Sequence, residues 1–177
     1  MARSFFKKIR LYVYAGMFLA MTFVVTAYVL HIPVPATGGY IHLGDTFLYL
    51  SASLLPMPFG VAAGALGEAL SDALTGSLVY AIPTLLIKSA MALCFTAKGA
   101  AVLNRRNMIA VAPAGILCVG GYYLTEVVLL HSFVSPVLEV PLNALQAVSS
   151  AAIYLLVGYV FDRARMKNRL GFGNFPH

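Results

Sequence analysis

The chain has 177 residues, of which 60% are hydrophobic and only 10% charged, and its mean hydropathy is +0.86. Since about a quarter of the residues in a soluble domain carry a charge, this composition excludes an ordinary soluble protein and indicates an integral membrane protein. A spanning helix needs about 20 apolar residues, so the chain has room for about six spans joined by short connections. We therefore predict a single all-α domain over residues 1–177, an integral membrane bundle of six transmembrane helices.

The net charge of +6 has a distribution that indicates membrane topology rather than nucleic-acid binding. Eleven of the twelve Lys and Arg residues lie in three clusters: before the first apolar run, between the fourth and fifth, and after the last. With six spans, all three clusters face the cytoplasm if both termini do, as the positive-inside rule requires. The clusters are Arg3, Lys7, Lys8 and Arg10; Lys98, Arg105 and Arg106; and Arg163, Arg165, Lys167 and Arg169.

The first apolar run, Leu11 to Leu30, is predicted to be a retained helix. Its apolar core is longer than that of a signal peptide, and no small-x-small cleavage site follows it. Gly16 and Ala20 are four residues apart and form a small-residue face that lets another helix approach closely. This face either packs within the bundle or docks a partner subunit.

The outer loop of residues 31–39 and the second span, Tyr40 to Leu55, come next. Two prolines and two glycines make a helix improbable in the loop, which is either a plain connector or a lid over a pocket. The second span is short and begins with His42 and Asp45, where a carboxylate is also well placed to cap a helix. A tight cytoplasmic turn at Pro56-Met57-Pro58 follows it.

The third span, Phe59 to Leu74, is rich in glycine and alanine, and the fourth runs from Val79 to Ala97. Glu68 and Asp72 are four residues apart and therefore share one face of the third helix. Lys88 lies at a depth similar to that of Glu68 by the helical rise. Because an unpaired charge in a bilayer is very unfavourable, we predict a structural ion pair between Glu68 and Lys88.

The fifth span, Met108 to Leu130, and the sixth, beginning near Pro141, carry further polar residues at their outer ends. Residues 166–177 are predicted to be a short cytoplasmic tail. The inner half of every predicted span contains almost only apolar or small residues. Polar residues that served only to hydrogen bond one helix to another would occur at all depths. This asymmetry predicts an outward-open small-molecule pocket. Its candidate substrate-binding residues are Asp45, Asp72, Tyr122, Glu126, Asn143 and Gln146.

Purely structural roles for these residues remain open. Carboxylates can cap helices, amides can hydrogen bond to neighbouring helices, and tyrosines are common at the membrane–water interface. The histidines of the outer side, His31, His42 and His131, have no spacing that requires a metal. Neither a nucleophile–base motif nor a phosphate-binding glycine loop occurs. We therefore predict no metal, no cofactor and no enzymatic activity.

Three motifs give the chain a family resemblance: LGD (Leu43 to Asp45), SDALTG (Ser71 to Gly76) and PTLLIKSAM (Pro83 to Met91). With VPLNALQ (Val140 to Gln146), they resemble the substrate-binding S components of energy-coupling factor (ECF) vitamin transporters. Within that family the chain resembles the riboflavin-type branch, which includes proteins assigned to pyridoxine or hydroxymethylpyrimidine. The resemblance covers essentially the whole chain.

The resemblance implies a subunit in the plasma membrane of a prokaryote that captures a vitamin from outside. It also implies partners: a transmembrane coupling subunit, which would dock on Gly16 and Ala20, and two ATPases. A B6 vitamer or a thiamine-precursor pyrimidine is the preferred substrate. Two alternatives remain, a stand-alone proton-coupled secondary transporter using Glu68, Asp72 or Glu126, and an intramembrane enzyme or scaffold.

Overall fold

A computed structural model describes residues 2–29, 31–34 and 39–171 as a helical bundle with one short β-hairpin. Residues 35–38 of the predicted lid loop and residues 172–177 of the predicted tail lie outside the described residues. The helices are α1 (Ala2–Tyr28), α2 (Asp45–Leu54), α3 (Met57–Leu74), α4 (Ala81–Leu93), α5 (Arg105–Leu130), α6 (Val140–Arg163) and α7 (Met166–Arg169). Two 3₁₀ segments, Leu78–Tyr80 and Ser135–Glu139, precede α4 and α6.

The core of the bundle is α2, a helix of ten residues of which nine are buried. It is about 15 Å long, roughly half the thickness of a bilayer hydrocarbon core. It packs against α1, α3, α4 and α6. Tyr49 of α2 stacks on Phe95 at 4.7 Å between ring centroids, and Tyr154 of α6 meets both rings edge-on. A helix this short is held by protein on nearly every side.

The predicted second span, Tyr40 to Leu55, is wrong at its outer end. Residues 39–41 form a strand, β2 (Gly39–Ile41), which pairs antiparallel with β1 (Ile32–Val34). The register places Ile32 opposite Ile41 and Val34 opposite Gly39. The first loop therefore carries a β-hairpin, and the helix starts only at Asp45. We call the end of the bundle that carries this hairpin the hairpin end.

Close helix packing around α2 depends on the small residues of α3. A Cβ added to Gly60 would lie 2.6 Å from the backbone oxygen of Ser51 and 2.9 Å from Cα of Ala52, so α2 and α3 are in backbone contact there. The hydroxyl of Ser51 donates to the carbonyl of Gly60 at 2.9 Å and reinforces this contact. Such contact is what small residues allow between helices in lipid, where no hydrophobic effect drives association.

By length and hydropathy, three helical stretches of the described chain can cross a membrane: Lys8–Tyr28, Arg105–Leu130 and Ser135–Arg163. Leu78–Leu93 is a shorter apolar helical stretch, so the fourth predicted span ends before Ala97. The helical membrane bundle is thus confirmed, while the count of six spans stays a prediction.

The end of the bundle opposite the hairpin is more polar than the predicted apolar inner half. Lys167 of α7 is buried, and its ammonium donates to the carbonyl oxygens of Ala97, Gly99 and Ala101 at 3.0, 3.3 and 2.9 Å. Desolvation lowers the pKa of Lys167 to about 8 while Asp162 acts the other way, so the ammonium is mostly protonated at neutral pH. The start of the predicted tail is therefore docked on the bundle.

Replacing Gly60 by alanine should destabilise the protein, because the added methyl group meets backbone that cannot move aside alone. We expect a loss of about 1 to 3 kcal/mol, as for overpacked cores. The control is Gly16→Ala, where a Cβ would meet nothing within 4 Å. Thermal unfolding in detergent, followed by circular dichroism, should separate the two variants; equal stability would contradict the backbone contact between α2 and α3.

Candidate functional site

A polar pocket lies at the hairpin end, between β2, the end of α3, the start of α4, the end of α5 and the start of α6. Its cavity volume is about 20 Å³, enough for about one water molecule. The lining side chains therefore nearly fill the pocket in this conformation. It is lined by Tyr40, His42, Asp72, Ser77, Tyr80, Tyr122, Glu126, Glu139, Asn143 and Gln146.

Five of the six predicted substrate-binding residues line this pocket: Asp72, Tyr122, Glu126, Asn143 and Gln146. They come from three different helices, and the structure brings them together around one cavity. Asp45 is not among the lining residues. The structure places Asp45 deeper, fully buried at the first position of α2, where its carboxylate accepts from Lys88 and Gln146.

The β-hairpin is attached to the pocket wall through Tyr40. The Tyr40 hydroxyl donates to Oδ1 of Asp72 at 2.6 Å and lies 2.9 Å from the hydroxyl of Ser71. The Tyr40 ring stacks on His31, with 3.8 Å between ring centroids. The hairpin is therefore held against α3 by the hydrogen bonds of Tyr40, while the stacking on His31 lies within the hairpin segment itself.

Gln146 lines the pocket, but both ends of its amide group are used within the protein. Its oxygen accepts from the backbone N–H of His42 at 3.0 Å, and its nitrogen donates to Oδ2 of Asp45 at 2.9 Å. An amide held at both ends has little freedom to turn toward a ligand. Gln146 thus holds the backbone at His42, just after β2, and connects the pocket to Asp45.

Below the pocket floor lies a buried charge cluster, which we define as Asp45, Glu68, Lys88 and His42. The Lys88 ammonium donates to Oδ1 of Asp45 at 2.5 Å and forms an ion pair with Oε2 of Glu68 at 3.0 Å. His42 Nε2 lies 3.7 Å from the same Glu68 oxygen. Asp45, Glu68 and Lys88 are fully buried. The structure thus brings the predicted partners Glu68 and Lys88 together and adds a second carboxylate, Asp45, which the sequence had suggested only for other roles.

Tyr122 joins the charge cluster to the pocket. Its ring centroid lies 5.3 Å from the Lys88 ammonium, within range of a cation–π interaction, and its hydroxyl lies 3.0 Å from that of Thr84. One part of Tyr122 therefore interacts with the lysine while another lines the cavity.

Sequence reasoning did not select Tyr40, His42, Ser77, Tyr80 or Glu139 as ligand contacts, yet all five line the pocket. Glu139 ends the 3₁₀ segment before α6, and its side chain lines the same cavity as that of Glu126. The sequence could have indicated Glu139 as a pocket residue, because this acidic residue directly precedes the VPLNALQ motif. Ser77 and Tyr80 carry no comparable signal, since they lie in a short connection.

Gly16 and Ala20 are both exposed on the outside of α1. A Cβ at Gly16 would meet nothing within 4 Å. Packing within the bundle, one of the two interpretations of this small-residue face, is therefore wrong. Within the described ranges, no group of three or more His, Cys, Asp and Glu side chains is arranged to hold a metal ion.

The fold and the site together define a class of protein, a helical membrane protein with a small polar pocket at one end. The family model described as "ECF-type riboflavin transporter, S component" matches residues 6–162. The chain is also 32% identical over 149 residues to a Pyrococcus woesei protein described as "Uncharacterized protein in gap 3'region", a match that covers 83% of this chain and 95% of that protein.

The chain belongs to the ECF-type riboflavin transporter S component family. It is therefore an integral membrane protein and the substrate-binding subunit of an ECF transporter, a role in vitamin uptake rather than an enzyme. S components act together with an ECF module that contains a transmembrane subunit and ATPase subunits.

Replacing Lys88 by methionine should destabilise the protein strongly, because it leaves two buried carboxylates without their shared counter-charge. Loss of one partner from a buried pair typically removes about 3 to 5 kcal/mol. Asp45→Asn and Glu68→Gln, added to Lys88→Met, should restore part of the loss by removing the two charges. Thermal unfolding in detergent measures both effects; a single variant as stable as the parent would show that the cluster is not ion-paired.

Proposed function

We propose that this S component captures a small single-ring vitamin, a B6 vitamer or a thiamine-precursor pyrimidine, from the outer side of the plasma membrane. The observation that carries this proposal is the pocket itself, where carboxyl, amide and phenol groups converge in an otherwise apolar bundle. Each residue that lines the pocket has a polar side chain, and convergent polar groups fix the orientation of a bound small molecule and give a site its specificity.

Riboflavin is the second candidate, because the matching family model is described by that vitamin. The cavity of about 20 Å³ favours the smaller ligand, since less rearrangement is needed to admit one ring than three fused rings.

The proposed contacts divide into direct and supporting residues. Asp72, Glu126 and Asn143 face the cavity and would hydrogen bond to the ligand, and the Tyr122 ring would pack against it. Gln146 and Asp45 would support the site from behind, because each is already engaged with the protein.

Ligand entry requires the pocket to enlarge, and we propose that the hairpin moves to allow this. The hairpin is held to α3 mainly through Tyr40, whose hydrogen bond to Asp72 involves a residue that also lines the pocket. A ligand that hydrogen bonds to Asp72 would compete with Tyr40 for that carboxylate. Opening of the hairpin and binding would then be linked through one side chain.

We propose the six-span topology with both termini cytoplasmic, in which α2 and the hairpin together take the place of the second span. The coupling subunit would dock on the exposed face around Gly16 and Ala20. Two ATPases would supply the energy, since nothing in this small chain resembles a nucleotide-binding site.

The first test is native mass spectrometry of the detergent-purified chain expressed in rich medium. A co-purifying B6 vitamer or pyrimidine would support the proposed substrate, and riboflavin would favour the second candidate. A protein that is empty, and stays empty after incubation with a panel of these vitamins, would overturn the capture function.

Substituting Asn143 with alanine should weaken binding of the vitamin by about 1 kcal/mol or more, the usual contribution of a hydrogen bond. Titration calorimetry measures this directly. Asn168→Ala is the matched control, because Asn168 is exposed on α7 at the opposite end of the bundle. Unchanged affinity in the Asn143 variant would remove this residue from the site.

Substituting Gly16 with leucine should weaken assembly with the coupling subunit and leave vitamin affinity unchanged, because the bulky side chain covers a surface outside the bundle. Gly120→Leu on α5 is the control, since a Cβ at Gly120 also meets nothing within 4 Å. Co-purification with the ECF module separates the variants. Normal assembly of the Gly16 variant would place the docking face elsewhere.

A further inference from the structure

The charge balance at the hairpin end is strongly acidic. Five of the chain's six Asp and Glu residues lie in the pocket wall or in the charge cluster beneath it. Lys88 is the one Lys or Arg among these two sets of residues, and the lining residues include neither type. Residues 35–38, which follow β1 in the sequence, contain no charged side chain.

Lys88, the nearest ammonium group, is already paired with two carboxyls of the charge cluster. Its ammonium lies between Asp45 and Glu68, so even the cluster beneath the floor has more carboxyls than ammonium groups. His42 is the remaining basic side chain in the pocket wall, and it lies next to Glu68. Carboxyl groups therefore outnumber ammonium groups both beneath the pocket and in its walls.

Two carboxyl oxygens at the cavity have no hydrogen-bond partner among the described residues. They are Oδ2 of Asp72 and Oε2 of Glu126, and both residues are more than nine-tenths buried, with 6% and 2% of their surface exposed. A buried acceptor without a partner loses its hydrogen bonds to water and forms none in their place, which destabilises the folded protein. Groups of this kind are stabilised when a ligand supplies the missing donor.

Glu126 and Glu139 add a second acidic feature. Both side chains line the same small cavity, and both residues are buried, with 2% and 4% of their surface exposed. Two adjacent carboxylates in a water-poor site do not both ionise unless a cation is present. A positively charged ligand would allow both to ionise and would gain two charge-assisted hydrogen bonds.

From these groups we infer that the pocket selects an organic cation with N–H donors, such as a protonated amine on an aromatic ring, and rejects phosphorylated or carboxylated ligands. The inference rests on the proposed capture function and narrows its substrate class. The Tyr40, Tyr80 and Tyr122 rings in the wall suit such a ligand, since aromatic faces attract cations. An anionic ligand would meet Asp72, Glu126 and Glu139 with no basic group free to neutralise it.

The test is titration calorimetry of the full chain in detergent with five probes at neutral pH. Pyridoxamine and thiamine carry a positive charge, pyridoxine and riboflavin are neutral, and pyridoxamine 5′-phosphate adds a phosphate. Pyridoxamine and pyridoxine differ chiefly in an ammonium against a hydroxyl group. We expect a cation to bind most tightly, with roughly tenfold preference over its neutral counterpart, as for a hydrogen bond to a charged group.

Glu126→Gln provides the matching variant, because it keeps the shape of the side chain and removes its charge. Affinity for the preferred cation should fall roughly tenfold or more, while a neutral probe should change less than about threefold. Asp162→Asn is the control, since Asp162 is the sixth acidic residue and binds the backbone of Val102 and Leu103 at the opposite end. Circular dichroism of each variant verifies that it is folded.

Tightest binding of a neutral or phosphorylated probe, or equal loss of all probes in the Glu126 variant, would overturn the inference and leave capture intact. If none of the five probes bound and mass spectrometry found another vitamin without a positive charge, the inference would be overturned and the capture function would remain. A chain that stays empty in both experiments would overturn the capture function and the inference together.

Discussion

Burial of the Lys88 ammonium between Asp45 and Glu68 is the interaction on which the rest of the structure depends. It ties α2, α3 and α4 together at a point where neither water nor lipid headgroups can solvate a charge. The same Asp45 also accepts from Gln146 of α6, whose oxygen in turn accepts from the strand exit at His42. Four helices and the hairpin are thus joined through one ammonium, two carboxylates and one amide. Such a network stabilises little compared with an apolar core of equal volume, but it permits very few alternative arrangements of the helices.

The short central helix explains why a pocket exists at this end. An α2 of about 15 Å fills only half of a layer of about 30 Å, so the remaining depth must be occupied by something other than helix. The hairpin with Tyr40 occupies that space, and the polar ends of α5 and α6 line the pocket beside it. Their backbone and side-chain polar groups need partners away from water, and they find them in each other and in Asp72. The polar pocket is the space left between these groups.

Much of this organisation was predictable from the sequence, because charge in an apolar chain is rare and its position is informative. The membrane class, the helical bundle and the family followed from composition and motifs, and the clustering of Asp72, Tyr122, Glu126, Asn143 and Gln146 followed from their common depth. The β-hairpin was not predictable, since Pro33, Pro35 and the glycines indicate only a turn. The role of Asp45 was missed because periodicity gives depth but not the direction in which a side chain at a helix start points. The docked α7 was missed because Lys167 looks like any other basic flank residue, and its partners are backbone carbonyls that leave no trace in the sequence.

The way in which Lys167 holds the connection between α4 and α5 has an evolutionary consequence. Its three acceptors are backbone oxygens of residues 97, 99 and 101, and backbone oxygens are present whatever side chains these positions carry. The sequence of this connection can therefore drift while its shape is kept, except at Gly99, where a φ of +93° favours glycine. Related chains should then vary freely at positions 97 and 101 and change at position 167 only when the whole connection is rebuilt. Among such relatives, a stretch that looks unconstrained in an alignment would still have the same conformation.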